Sequence, residues 1–394
     1  MKLSRIACLL LLFVLLLAGC NVSQSEPAPF VGASITGATL DTDESGEELP
    51  FHVAVVQTGD PVGVDFRGIL IAGSVQLQLR AVDGDVVFAD SISTPGPFAI
   101  NTTLTPSAGT YQMGLVWDAP LEVQYNLVWQ PQPIEIPQLT LLTLLPGLGM
   151  ILVACTYFGY ALWRRLGARY LALGALAWVI TVALKFAWAI PINTPVYTVL
   201  YGALPETFAG PLFYLYVGAL TGVFEVALTW FLLRYTRLGR VPWGPALAFG
   251  IGFGAVEALL LGGGALIPVL LALMAPHTLP LEALHELAKA NNLLYSIAPI
   301  VERLFTVLLH VCSNVLLFYA VAKKQPRWFW LAFIYKTAID TVAAWGQLTG
   351  LQSLGKIWAI EAIVIVFGVL GWWGLHRMRA DYPEADLHST PPGV

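Results

Sequence analysis

The chain has 394 residues, of which 57% are hydrophobic and only 11% are charged. A soluble domain usually has about 25% charged residues, so this composition indicates that lipid surrounds most of the chain. The net charge is -5, and the sequence contains neither a phosphate-binding loop nor a basic nucleic-acid surface. We therefore expect membrane lipid as a partner and no nucleic acid.

Residues 1–20 have the pattern of a lipoprotein signal peptide. Lys2 and Arg5 precede an apolar stretch from Ile6 to Leu17, which is followed by Ala18, Gly19 and Cys20. This ending resembles the bacterial lipobox, in which the cysteine thiol is lipid-modified, and it predicts lipidation at Cys20. The alternative is an ordinary leader that happens to end at that cysteine. Both interpretations place residue 21 outside the bacterial cytoplasmic membrane.

The segment after the leader is predicted to contain a tether and then a β-rich domain. Residues 21–49 are small, acidic and polar without periodicity, which is typical of a flexible tether. In residues 50–137 the apolar positions recur at every second residue, for example from Val75 to Leu79 and from Leu121 to Trp129. This pattern predicts an extracytoplasmic β-sandwich-like domain. An extracytoplasmic partner for this domain is left open.

Long apolar stretches dominate the sequence beyond Pro137. A membrane-spanning helix needs roughly 20 apolar residues. The sequence predicts a seven-helix membrane domain over residues 138–376, with spans near 139–163, 170–190, 208–234, 243–270, 296–321, 328–347 and 357–375. Residues 377–394 are expected to form a cytoplasmic tail.

The distribution of basic residues agrees with this topology. Arginine and lysine cluster within 164–169, 234–240, 323–327 and 377–379, and seven alternating spans place all four clusters on one side. Because cytoplasmic loops carry an excess of basic residues, the amino-terminal domain is expected outside and the carboxyl terminus inside.

Ionisable residues inside the predicted spans are the candidates for function, because burying a charge there costs roughly 3 kcal/mol or more. They are Lys185, Glu225, Glu257, Glu302, Arg303, His310, Lys336, Asp340 and Glu361. Counting 1.5 Å of rise per residue places Glu257, His310 and Asp340 at a similar depth on three helices, with Glu302 nearer the outer surface.

This set of residues predicts water activation for peptide hydrolysis. Glu257 would act as the base, and His310 would polarise the peptide carbonyl or donate a proton. Asp340 or Glu302 would orient the histidine. Ser313 and Asn314, one turn from His310, offer further hydrogen bonds to its other nitrogen or to a substrate.

The alternative is purely structural, with carboxylates that pair with lysines or arginines to hold helices together. Lys336 and Asp340 are spaced i,i+4 for such a pair. The adjacent Glu302 and Arg303 are expected to point in different directions. A zinc site has little support, because the spans hold one central histidine and no His-Glu-x-x-His motif; the metal and cofactor are left open.

Three blocks within residues 140–375 resemble the YhfC family of intramembrane peptidases, which is related to the PrsW and CAAX-processing (Abi) glutamic-type proteases. The blocks are Gly218 to Glu225, Gly250 to Gly262 with Glu257, and Glu302-Arg303 followed by His310 and Asn314. The resemblance implies water-activating glutamates and histidines that act on membrane-associated peptide or protein substrates.

Two positions depart from the family pattern. Val226 stands where a second glutamate is expected, and Phe253 stands where a histidine is expected. Two interpretations remain. The first is a peptidase whose site is drawn from Glu257, His310, Glu225, Glu302 and Asp340. The second is a catalytically inactive membrane-anchored scaffold or sensor whose β-domain binds an extracytoplasmic partner. A seven-helix receptor is less well supported, because the cytoplasmic loops and tail are short.

Overall fold

The computed structural model describes residues 33–55, 59–350 and 353–383. The predicted leader, Cys20 and the first part of the tether lie outside these ranges. The described residues form two compact units. One holds the chain up to Leu144 together with the segment Leu266–Asn292, and the other holds Leu145–Ala265 and the chain from Leu293 onward.

The first unit is built on an antiparallel sheet. Its strands are β1 (Ala33–Thr42), β2 (Gly46–Val55), β3 (Val62–Ala81), β4 (Val86–Ile92), β5 (Gly96–Leu104) and β6 (Gly109–Gln130). The long strands β3 and β6 pair with each other, and the four shorter strands flank them.

The sheet folds over on itself into two layers. One half of β3 pairs with β5 and the other half with β4, and the register shifts around Ala72 between them. Val64 and Phe66 from the first half and Leu77 and Leu79 from the second half belong to one buried core. The predicted β-sandwich-like arrangement therefore has its physical basis in two long strands that each contribute to both layers.

The predicted tether is wrong over residues 33–49, where the chain forms β1 and the start of β2. The alternation in β1 is broken by a bulge between Ile35 and Ala38, where Gly37 has a φ of 65°. A bulge inserts an extra residue and shifts which face the following side chains occupy, so the period of two is lost. The sheet domain accordingly begins before residue 50.

The segment Leu266–Asn292 completes the first unit. It contains the short helix α5 (Leu281–Ala288). Leu281 is buried with Val128 and Ile134 in a small apolar cluster. Asn291 accepts hydrogen bonds from the backbone N–H and the hydroxyl of Thr140 at 2.9 and 2.8 Å, and its amide donates to Gln138 O at 2.8 Å. The segment is thus attached to the sheet domain by apolar and polar contacts.

The remaining helices are long. They are α1 (Leu145–Trp163), α2 (Ala168–Ala203), α3 (Glu206–Tyr235), α4 (Trp243–Met274), α6 (Leu293–Lys323), α7 (Pro326–Leu348) and α8 (Leu354–Ala380). Each corresponds to one predicted span. In the described residues, six helices are long and apolar enough to cross a membrane. The exception is α7, whose hydropathy is lowered by Lys336 and Asp340 near its middle.

Glycines bring the helices that carry the charged residues into close contact. A Cβ at Gly254 of α4 would lie 2.9 Å from His310 Cβ and 3.0 Å from Val307 Cα of α6. A Cβ at Gly218 or Gly222 of α3 would lie 2.2 or 2.5 Å from a threonine hydroxyl of α7. Small residues allow such close backbone approach in membrane helices, and here they place α4 against α6 and α3 against α7.

Candidate active site

Glu225 lies in a π-helical turn, Gly222–Ala227, within α3. One-turn π segments are uncommon and occur frequently at functional sites, because the extra residue redirects the side chains around it. Glu225 is 5% exposed, and its Oε1 accepts a hydrogen bond from Lys185 Nζ at 2.5 Å. The turn therefore presents a buried carboxylate towards α2, α6 and α7.

Glu257 of α4 and His310 of α6 are in direct contact. Oε2 of Glu257 lies 2.6 Å from Nε2 of His310, and His310 is only 1% exposed. This contact depends on the close approach at Gly254, one helical turn before Glu257. A carboxylate held against one ring nitrogen fixes the tautomer and the orientation of an imidazole.

Arg303 holds the Glu257 carboxylate from its other side. Its guanidinium donates to Oε1 of Glu257 and to Oε1 of Glu302. Trp178 Nε1 also donates to Oε2 of Glu257 at 3.1 Å. The expectation that Glu302 and Arg303 point apart is therefore wrong, because the long arginine side chain reaches the carboxylates on both sides of it.

Lys336 lies among three polar side chains of the cluster, from α3, α6 and α7. Its Nζ is 3.1 Å from Asp340 Oδ2, 3.6 Å from Glu225 Oε2 and 3.4 Å from His310 Nε2. The residue is 3% exposed. The i,i+4 pair predicted for Lys336 and Asp340 is confirmed, and the same ammonium also neutralises Glu225.

Two buried acceptors in the cluster face each other. A carboxylate oxygen 2.6 Å from Nε2 of His310 favours the tautomer that is protonated at Nε2, and in that tautomer Nδ1 has a free lone pair. Nδ1 lies 4.0 Å from Oε2 of Glu225. Neither atom has a hydrogen-bond partner among the described residues. The gap between them needs a donor that can serve both atoms.

The structure brings Glu225, Glu257 and His310 into one cluster. Asp340 and Glu302 lie at its edges, joined to it through Lys336 and Arg303 and not through His310. The carboxylate that orients His310 is Glu257, the residue expected to be the base.

The two polar residues near His310 also differ from expectation. Ser313 and Asn314 both donate to the backbone carbonyl of His310, at 3.0 and 2.9 Å, and leave its ring free.

Sequence reasoning missed two features of the cluster. Trp178 gave no signal, since tryptophan in an apolar segment is usual. Lys336 was predicted to pair with Asp340 or, in the structural alternative, with a buried carboxylate, and its contact with His310 was not predicted. The signal that could have identified its wider role is Gly218-x-x-x-Gly222, which requires a close neighbour for α3 and so brings α7 towards Glu225.

A cavity of about 520 Å³ lies between α2, α3 and α7. Its walls include Phe186, Phe213 and Leu220, and Lys185 and Thr221 also line it. Nζ of Lys185 bridges the Thr221 hydroxyl at 3.4 Å and Glu225 at 2.5 Å. Lys185 therefore both lines this mostly apolar cavity and pairs with Glu225 of the charged cluster.

The fold and the cluster define a helical multi-pass membrane protein with a buried carboxylate–histidine centre. A family model described as YhfC intramembrane metalloprotease matches residues 149–364, more than half of the chain. The chain belongs to this family, and its membrane domain is of the intramembrane protease type.

No curated protein matches the chain. Three solved structures align with 28–29% of it. The first is Eiger TNF from S. frugiperda, with 15% identity over all of that chain and a TM-score of 0.19. The second is a carbohydrate-binding module of lichenase 5A from Cellvibrio mixtus in complex with cellotriose, with 16% identity over 91% of that chain and a TM-score of 0.18. The third is a Bacillus endospore appendage, with 10% identity over 99% of that chain and a TM-score of 0.16. At these scores the likenesses support no statement about this chain.

The family name implies a metal, and the cluster does not fit one. Nδ1 of His310 and Oε2 of Glu225 offer two ligands, whereas a zinc site usually takes at least three from the protein. No group of three or more His, Cys, Asp or Glu side chains suited to a metal occurs in the described part of the chain. Glu257, the remaining candidate, uses both oxygens on Arg303, Trp178 and His310.

Proposed function

We propose that this chain is an intramembrane peptidase that hydrolyses membrane-associated peptides with a water molecule activated by His310 and Glu225. The observation that carries the proposal is the pair of buried acceptors, Nδ1 and Oε2, at 4.0 Å. A water with hydrogen bonds of about 2.8 Å to each atom would subtend an angle near 90° and donate both hydrogens. Such a water has its oxygen lone pairs free for attack.

Each nearby residue then has a role in proton transfer. His310 Nδ1 takes a proton as the water oxygen attacks the carbonyl carbon of the scissile peptide bond. The imidazolium that forms is stabilised by Glu257 at Nε2, as the buried carboxylate does in hydrolytic triads. The C–N bond breaks, and the leaving amine receives the proton from His310. Glu225 holds the water in position, and Arg303 holds Glu257.

The cavity between α2, α3 and α7 supports access for a substrate. Its volume of about 520 Å³ is of the size of a small-molecule or short peptide site. Its walls are mostly apolar, which suits side chains that come from lipid, and Lys185 and Thr221 connect it to Glu225. We place the β-domain on the extracytoplasmic side and the carboxyl terminus in the cytoplasm, on the distribution of basic residues.

The experiment compares the membrane proteomes of cells that express the intact protein, His310→Ala, Glu225→Gln and a matched control, Glu286→Gln. Glu286 is exposed and pairs only with Lys289 in the described structure. Folding of each variant is verified by its melting temperature. Cleavage products present with the intact protein and the control, and absent with the other two variants, support the proposal. Equal products in all four samples contradict it.

A catalytically inactive scaffold is the second candidate, and a specific observation favours it. Each of the four carboxylates Glu225, Glu257, Glu302 and Asp340 has a cationic partner, as expected for a purely structural ion-pair network. In that case the β-domain would bind a partner and the helices would anchor it. The same experiment separates the two candidates, because a scaffold gives no product that depends on His310.

A further inference from the structure

We infer that Lys336 provides the fixed positive charge of this site, and that the site folds and acts without a divalent metal. The inference concerns the same cluster as the proposed peptidase activity and rests on it for the role in catalysis only. The absence of a metal is tested without any measurement of activity.

The first argument is the position of the ammonium group. Nζ of Lys336 lies within 3.1–3.6 Å of Asp340, Glu225 and His310, three of the side chains that could otherwise ligate a metal. A divalent ion between Glu225 and His310 would therefore lie close to a buried cation. Repulsion between like charges is strong in an apolar interior, where few water molecules screen it.

The second argument is the charge balance of the cluster. Four carboxylates, Glu225, Glu257, Glu302 and Asp340, face three cations, Lys185, Lys336 and Arg303. A carboxylate whose charge is already compensated by a lysine or an arginine attracts a divalent ion less strongly. Here the side chains of the chain itself provide nearly all of the compensation, so little negative charge remains to attract a metal.

The third argument is the side chain that packs on His310. The Phe253 ring lies 5.3 Å from the imidazole ring between centroids and is 1% exposed. A phenyl ring offers no ligand, and it fills the space beside the histidine on α4. The position at which the family resemblance leads us to expect a histidine is therefore occupied by an apolar wall.

The chemistry of Lys336 follows from these contacts. An ammonium 3.6 Å from Oε2 of Glu225 keeps that carboxylate ionised and able to accept from water. The same group lies close enough to the proposed water to attract the negative charge that develops on a carbonyl oxygen during attack. Lys336 would thus perform the electrostatic role of a metal, while His310 removes the proton.

The first test measures metal directly. The full chain is purified in detergent with a tag that contains no histidine, exposed to Zn²⁺, freed of excess ion and analysed by inductively coupled plasma mass spectrometry. We expect less than about 0.1 zinc per chain, and a melting temperature that neither zinc nor a chelator changes. About one tightly bound zinc per chain that is lost in both His310→Ala and Glu225→Gln would overturn the inference.

The second test asks whether the positive charge is what matters at position 336. Lys336→Arg keeps a cation among Glu225 and Asp340, whereas Lys336→Met leaves them buried without it. We expect the methionine variant to melt lower by more than about 5 °C and the arginine variant to melt close to the intact protein. Lys289→Met, at an exposed pair with Glu286, is the matched control and should not change. Equal melting of Lys336→Met and the intact protein would refute a charge role.

These two tests are independent of the proposed peptidase activity. If no cleavage product is found but metal is absent and position 336 requires a cation, the proposal of activity fails and this inference stands. If products are found together with one bound zinc, the proposal of activity stands and this inference fails.

Discussion

Nδ1 of His310 and Oε2 of Glu225 face each other across 4.0 Å in the interior of the helical unit, and in the tautomer protonated at Nε2 both are acceptors. Three elements of the chain create this relationship. The π-helical turn of α3 presents Glu225, Gly254 lets α4 approach His310, and Glu257 takes the other ring nitrogen. Two facing acceptors are costly to bury without a shared donor, so the arrangement favours a bound water.

Removing either acceptor should lower turnover. His310→Ala removes the group that takes the proton, and Glu225→Gln replaces an acceptor oxygen with a neutral amide. General-base catalysis usually contributes 10²–10⁴-fold, so we expect kcat to fall by at least about 100-fold in His310→Ala. Glu225→Gln should also lower kcat, because it loses the negative charge that orients the water. The measurement is single-turnover cleavage of a substrate identified by membrane proteomics, in detergent.

The control for this prediction is Glu286→Gln, which changes an exposed carboxylate outside the cluster and should leave kcat unchanged. A His310→Ala variant that retains full kcat would show that the water is activated elsewhere, since the proposal depends on Nδ1 of His310.

Arg303 should be essential for stability, because two carboxylates depend on it. Arg303→Met leaves Glu257 and Glu302 without their shared cation. Breaking a buried ion pair by removal of one partner typically costs about 3–5 kcal/mol. We expect a strongly lowered midpoint of unfolding, measured by intrinsic tryptophan fluorescence in detergent with added denaturant.

A milder variant provides the comparison for Arg303. Trp178→Phe removes one hydrogen bond to Glu257 and keeps the aromatic volume, so it should cost about 1 kcal/mol. If the two variants unfold at the same midpoint, the guanidinium does not carry the charge balance that its contacts indicate.

The close contact between α4 and α6 makes a steric prediction. Gly254→Val places a branched side chain where a single Cβ would already lie 2.9 Å from His310 Cβ. We expect this variant to separate the two helices, to break the Glu257–His310 contact and to lose both activity and about 1–3 kcal/mol of stability. Differential scanning fluorimetry of the purified chain measures the change in stability.

Gly263→Val is the matched control on the same helix, because nothing lies within 4 Å of a Cβ built at that position. Both variants introduce the same β-branched residue into α4, so a difference between them reports the packing alone. Equal melting temperatures for the two variants would contradict the close approach.

The helices were the most predictable part of the fold. Each long apolar segment is a helix, because a span of roughly 20 apolar residues can satisfy its backbone in lipid only by internal hydrogen bonds. The residues of α7 were also predicted as a span, although Lys336 and Asp340 lower its hydropathy. β1 was missed, because the bulge at Gly37 interrupts the alternation on which strand prediction depends.

The sequence identified which residues form the site, but not which of them contact each other. Buried charge alone identified Glu225, Glu257 and His310 as candidates. Which carboxylate bonds His310 depends on rotation about each helix axis, and this is set by glycine contacts and by the π turn around Glu225. Such contacts join residues that are distant in sequence, so depth along a helix cannot reveal them.

The segment between α4 and α6 provides the last prediction, because it connects the helix of Glu257 to the helix of His310. Asn291 makes three hydrogen bonds to Gln138 and Thr140 that attach this segment to the sheet domain. Asn291→Ala removes all three, and we expect faster hydrogen–deuterium exchange over residues 276–292 and 138–144. Opening of local structure becomes easier when its backbone and side-chain hydrogen bonds are lost.

Glu286→Gln lies in the same segment and changes only an exposed i,i+3 pair with Lys289, so its exchange should match that of the intact protein. If Asn291→Ala also exchanges like the intact protein, the apolar cluster of Leu281, Val128 and Ile134 is sufficient to hold the segment.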